Sequence, residues 1–90
     1  MTTVSRHVCY SGRVQGVGFR YTAQQLAAGF TVNGWVRNLP NGDVELVAEG
    51  DPKQVAAFLD AIARRMAGYV TRTTVQEVTP ADLEGFSIRH

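Results

Sequence analysis

The stretch GRVQGVGFR, Gly12 to Arg20, packs three glycines and two arginines into nine residues. Glycines at 16 and 18 let successive backbone N–H groups turn into one concavity, because no Cβ blocks the turn. A helix beginning near Phe19 adds unpaired N–H groups and the positive end of its dipole. Arg20, on the first turn of that helix, adds a planar fork able to grip two oxygens of a tetrahedral anion. Amides, dipole and guanidinium therefore favour the same kind of ligand, an oxyanion such as phosphate. The stretch also reads as a plain glycine-rich connection carrying solvated arginines, and the spacing alone leaves both readings open.

Asn38, in WVRNLPNG, is the second candidate. Asparagine is a poor strand former, yet it closes a strand-like run. Its neutral amide can orient a water without adding charge; equally, it can begin the turn through a side-chain bond to the backbone. Familiar nucleotide motifs fit badly. A Walker loop needs GxxxxGK[ST], and no lysine follows here. The dinucleotide fingerprint needs glycine where Tyr21 stands. Cys9 is the only cysteine and has no neighbouring base in sequence, so it reads as an inert thiol. His7 and His90 are the only histidines, and no metal-ligand spacing such as CxxC or HxxxH appears.

The elements that must position these residues follow from periodicity. Residues 5–14 read as a strand with Val8, Tyr10 and Val14 on one side. Phe19 to Ala28 reads as a helix, with Ala23, Leu26 and Ala27 facing the core and Gly29 as its cap. Thr31 to Leu39 reads as a second strand, with Trp35 in the core or half-buried and Arg37, like Arg13, as a solvated strand charge. PNG at 40–42 marks a hairpin turn. Asp43 to Glu49 alternates as a third strand, with Asp43, Glu45 and Glu49 on a wet face. Asp51 caps a second helix with Pro52 at its first position. Val55, Phe58, Leu59, Ile62 and Met66 form its apolar stripe, and Gly68 ends it. Residues 70–78 read as a threonine-rich strand with room for a bulge, and GFSIRH supplies a short final strand.

The order is β-α-β-β-α-β plus a short fifth strand. That order fits an α+β ferredoxin-like sandwich, an antiparallel sheet with two helices on one face. In that topology the first and second strands run parallel with the third between them. The loop after the first strand and the end of the second then share one sheet edge, about 10 Å apart for two strand spacings of ~4.8 Å. A phosphate and a water fit that gap.

Bulk properties narrow the rest. Ninety residues suit one domain, 1–90, and 44% hydrophobic content supports a core. A net charge of +1 argues against a protein devoted to nucleic acid. The N-terminus carries no long apolar run, so neither a leader nor a membrane span is expected, and the expected place is the cytoplasm. Monomer is the expected state.

GRVQGVGFR at 12–20 and GWVRNLPNG at 34–42, with VELVAEG at 44–50 and GFSIR at 85–89, resemble the acylphosphatases over essentially the whole chain. The region 66–79 departs from the family pattern, which leaves the start of the fourth strand unplaced. The resemblance implies hydrolysis of carboxylic–phosphoric anhydrides to carboxylate and phosphate, without metal or cofactor. It implies that the loop Gln15, Gly16, Val17, Gly18, Phe19 and Arg20 binds the phosphoryl group, with Arg20 as the essential cation. It further implies that Asn38 positions the attacking water. Two other readings share the topology. One is an acylphosphatase-like module of large hydrogenase-maturation proteins, disfavoured by a chain that stops at His90 without zinc-finger cysteines. The other is an RNA-binding sandwich, disfavoured because the third strand carries no aromatic residue to stack a base.

Overall fold

The computed structural model describes residues 2–90. The strands are β1 (Val4–Gly12), β2 (Val32–Asn38), β3 (Val44–Gly50), β4 (Val70–Val78) and β5 (Phe86–Arg89); the helices are α1 (Phe19–Ala27) and α2 (Pro52–Arg65). The strands form one sheet in the order β4-β1-β3-β2-β5. β1 pairs antiparallel with β3 and β4, and β2 pairs antiparallel with β3. β5 adds to the outer side of β2 in parallel. The ferredoxin-like arrangement is therefore present, with the fifth strand at an edge.

Both helices pack on the sheet and on each other. Val8 and Tyr10 of β1, Val36 of β2 and Val44, Leu46 and Ala48 of β3 meet Ala23, Ala27, Val55, Phe58, Ile62 and Met66 in one core. The apolar stripes and the period-two alternation predict that set apart from Val36, although Leu26 and Leu59 are only half-buried. Asp51 caps α2 by accepting from the Lys53 amide at 3.0 Å, with Pro52 at the first helical position.

Four local expectations are corrected. β1 ends at Gly12 rather than 14, because the pairing with β4 shifts register between Ser11 and Gly12 and the Arg13 amide turns to the Tyr69 carbonyl at 2.9 Å. Val14 still reaches the core, from the loop. α1 ends on Ala28 in right-handed conformation, without using Gly29 as a left-handed cap. α2 ends at Arg65, short of Gly68, because the amides of Tyr69 and Val70 both turn back to the Met66 carbonyl and lead the chain into β4.

The fourth correction concerns β3. Its outer face is not uniformly wet: Val47 is buried and Glu49 is 3% exposed. The segment after β4 covers that end of the face, and the amides of Ala81 and Leu83 donate to Glu49 at 2.7 and 3.0 Å. Burial pushes the Glu49 carboxyl up, but those amide bonds more than offset it, and the group sits below the usual carboxylate range. β4, whose start the sequence left open, runs from Val70 and is exposed along nearly its whole length.

Candidate active site

Strand register sets one side of the site. Val44 of β3 lies between Tyr10 of β1 and Asn38 of β2 in one row across the sheet. The chain leaving β1 and the end of β2 therefore emerge on the same edge. Tyr10 packs on Phe19 with ring centroids 4.8 Å apart, which seats the first residue of α1 above that row. Arg20 follows directly. Beyond β2, β5 runs in register as far as Arg89 opposite Arg37, so the next residue, His90, comes alongside Asn38.

These elements enclose a solvent-open cavity of about 270 Å³ lined by Val14, Gly16, Gly18, Phe19, Arg20, Tyr21, Asn38, Ile88 and His90. Five of the seven residues expected at the site, Gly16, Gly18, Phe19, Arg20 and Asn38, are thus brought together. Gln15 and Val17 lie outside that lining. The Gln15 side chain is turned to the hairpin, where its Nε2 donates to the Leu39 and Asp43 carbonyls at 2.7 and 2.9 Å.

The loop backbone is left-handed at two positions. Gly16 and Gly18 take φ of 77° and 78°, the left-handed region where a side chain is strained, although a Cβ at either position would meet nothing within 4 Å. Backbone geometry, not space, therefore calls for glycine here. Gly18 is the N-cap of α1 and offers no side chain to the helix start, and no acidic residue stands in the first turn. The Thr22 amide closes the first helical bond, to the Gly18 carbonyl at 2.9 Å. The amides of Phe19, Arg20 and Tyr21 precede it, so they have no partner within the helix, at the positive end of its dipole.

Arg20 is half-buried and, among the described residues, pairs with no carboxylate. Arg6, Arg37 and Arg64, by contrast, are satisfied by Glu77, Glu45 and Asp60. The contact recorded for the Arg20 side chain runs from its terminal nitrogen to His90 Nδ1 at 3.4 Å, with the imidazole nitrogen accepting. His90 and Tyr21 are lining residues that motif reasoning missed. The signal for His90 was the parallel register of β5, which spacing does not reveal.

The remaining candidates lie elsewhere. Cys9 is on the opposite sheet face, where burial first, then the charges of Glu45 and Asp43, push its thiol up and keep it protonated. Trp35 is half-buried on that face, with Arg37 and Arg89 stacked on it at 5.4 and 4.6 Å. Arg37 also pairs with Glu45, which accepts from His7 as well, so it is not a free charge. Arg13 lies over Tyr69. Among the described residues, no group of three or more His, Cys, Asp or Glu is placed to hold a metal, and no helix is long and apolar enough to cross a membrane.

The family model described as acylphosphatase matches residues 6–88. The chain is 46% identical to an acylphosphatase of Thermococcus kodakarensis over 98% of each chain. This chain belongs to the acylphosphatase family. It is 44% identical to the acylphosphatase of Moorella thermoacetica, covering 99% of this chain and 97% of that one. The crystal structure of the acylphosphatase from Bacillus subtilis superposes with a TM-score of 0.87 at 33% identity, over 97% of this chain and 99% of that one. As a member of the acylphosphatase family it is a hydrolase of acyl phosphates.

Proposed function

We propose that the cavity hydrolyses acyl phosphates by attack of an Asn38-positioned water on a phosphoryl group held by the loop amides and Arg20. The observation that carries the reading is the convergence on one cavity of a guanidinium without a carboxylate partner, a helix start with no side-chain cap and two left-handed glycines, and a neutral amide at the end of β2. The phosphoryl oxygens take the amides of the Gln15–Arg20 loop and the Arg20 fork. The carbonyl oxygen of the Asn38 side chain accepts from the water and aims its lone pair at phosphorus. Attack forms the new P–O bond as the bond from phosphorus to the acyl oxygen breaks.

Phosphoryl transfer of this kind asks for positioning and charge stabilisation more than for covalent catalysis. The leaving group is a carboxylate, stable without a proton, so no general acid is needed. The water's proton passes to a phosphoryl oxygen of the substrate itself, which fits a cavity lined by no Asp or Glu side chain. The reading extends to a one-domain monomer over residues 1–90, working in the cytoplasm without metal or cofactor and without nucleic acid or membrane partners.

The test is release of inorganic phosphate from benzoyl phosphate by the purified protein in the presence of EDTA. Turnover well above buffer is expected. No turnover above buffer would mean that the fold serves as a non-enzymatic module.

A further inference from the structure

His90 lines the cavity with Arg20, and its imidazole Nδ1 lies 3.4 Å from a terminal guanidinium nitrogen. Register brings it there. β5 runs parallel to β2 as far as Arg89, whose guanidinium stacks on Trp35 on the open sheet face. Successive side chains of a strand alternate faces, so His90 turns to the helix side, where α1 carries Arg20. The neutral imidazole accepts from Arg20 and in that state offers an anion nothing through Nδ1. A proton added at Nδ1 changes this: the nitrogen becomes a donor, the bond from Arg20 is lost, and two cations stand side by side. The lining holds no charge to offset them. It brings Arg20 and Tyr21 from α1, the neutral amide of Asn38 from β2, and Gly16 and Gly18 from the loop, and the Tyr21 hydroxyl accepts from Gln25. Arg37, on the open face with Arg89, is paired with Glu45. Among the described residues, no ion pair involves Arg20 or His90.

We infer that His90 is a second, protonation-dependent cation of the oxyanion site, so that a tetrahedral dianion binds more tightly when the imidazole is charged. The inference rests on the reading of the cavity as a phosphoryl site. Two donors 3.4 Å apart can both reach one tetrahedral anion, each over a hydrogen bond of ~2.8 Å. The anion also relieves the repulsion that the neighbouring cations otherwise suffer. Binding of the dianion and uptake of a proton from solvent at Nδ1 are therefore linked, and each favours the other. Arg20 stays charged throughout, so of the two groups His90 alone answers to pH. The sign follows: affinity for the dianion rises as pH falls through the range in which histidine gains its charge.

The experiment measures sulfate affinity by titration calorimetry at about pH 5.5 and about pH 8, on either side of the range in which histidine ordinarily changes charge. It uses the wild type, His90→Gln and His90→Lys, each checked for a native circular-dichroism spectrum. Sulfate is the probe because it stays a dianion over that range, whereas inorganic phosphate changes its own charge. The wild type is expected to bind sulfate about tenfold more tightly at the lower pH, the size of one added charge beside an anion in a solvent-open site. His90→Gln keeps an acceptor for Arg20 but takes no proton, and its affinity should change by less than about twofold. His90→Lys is charged at both pH values and should bind at the higher pH about as tightly as the wild type does at the lower. Wild-type titrations in buffers of different ionisation enthalpy should show net proton uptake with sulfate, and His90→Gln should show none. His7, the other histidine, is paired with Glu45 on the opposite sheet face and is common to all three proteins. A wild type that binds no sulfate at either pH overturns the oxyanion reading of the cavity itself. Sulfate binding that is flat with pH in the wild type, or whose pH dependence survives in His90→Gln, overturns the role of His90 alone.

Discussion

The side-chain amide of Gln15 donates to the Leu39 carbonyl at 2.7 Å, and so binds the glycine-rich loop to the residue that follows Asn38. Its second bond, to the Asp43 carbonyl, reaches the far side of the same turn, where the Leu39 amide already meets the Asp43 carbonyl at 2.8 Å. One side chain thus fixes the distance between the two halves of the site. Gln15→Ala is expected to cost about 1–2 kcal/mol of stability for the two lost bonds, and to lower kcat about tenfold as loop and hairpin drift apart. Urea unfolding and steady-state kinetics on one preparation check this. A destabilised variant with wild-type kcat would leave Gln15 a purely structural clasp.

Arg20 and Asn38 should separate by what they do. Arg20→Ala and Asn38→Ala are each expected to lower kcat by roughly 10²-fold or more, the loss typical of removing one transition-state donor or positioning group. Arg20→Ala should also weaken inhibition by free phosphate, and Asn38→Ala should not weaken it comparably. Arg20→Lys keeps the charge but not the fork, and should recover only part of the loss. Neither side chain belongs to the core, so melting temperatures should stay within a few degrees of wild type. Near-native rates in both alanine variants would remove them from the reaction.

What the sequence discloses about this site follows from how local the information is. Gly16, Gly18 and Arg20 are legible because loop, cap and first helical turn are neighbours in the chain. Asn38 becomes legible through topology, since the element order dictates that β1 and β2 run parallel on either side of β3. His90 and Tyr21 are not legible in that way. His90 needs the register of β5 against β2, and Tyr21 is indistinguishable from any helix-surface tyrosine until the cavity beside it is known. Glu49 misleads for a related reason. Alternation predicts which face a strand residue takes, but not that a later segment folds over that face and covers it.

Gly18 gives a test of the loop's backbone apart from its side chains. A Cβ there meets open space, so Gly18→Ala causes no clash, and the cost is that of holding alanine at φ 78°, about 1 kcal/mol. If the loop yields instead, the amides of α1's first turn swing away from the cavity. Gly18→Ala is therefore expected to show a small loss of stability with a large rise in the inhibition constant for phosphate. Titration calorimetry with inorganic phosphate reads the second quantity directly. Unchanged phosphate affinity would mean that the amide cradle does not depend on this conformation.

Glu49 carries the pH dependence of folding that its hydrogen bonds imply. Its carboxyl titrates below the usual glutamate range when folded, because the Ala81 and Leu83 amides favour the charged form more than burial disfavours it. The unfolded chain therefore takes up the proton first as pH falls. The stabilisation is complete above the ordinary glutamate value and is lost progressively as pH drops through it towards the lower folded value. Glu49→Gln cannot accept both amide bonds as a carboxylate does, and it should be less stable than wild type by about 1–3 kcal/mol at neutral pH. That gap should narrow between about pH 5 and pH 3, because the wild type loses its advantage there and glutamine has no proton to gain. Urea midpoints of the two proteins across that range decide the matter: a gap that stays constant with pH would show that the segment over β3 is held by packing and not by the charge of Glu49.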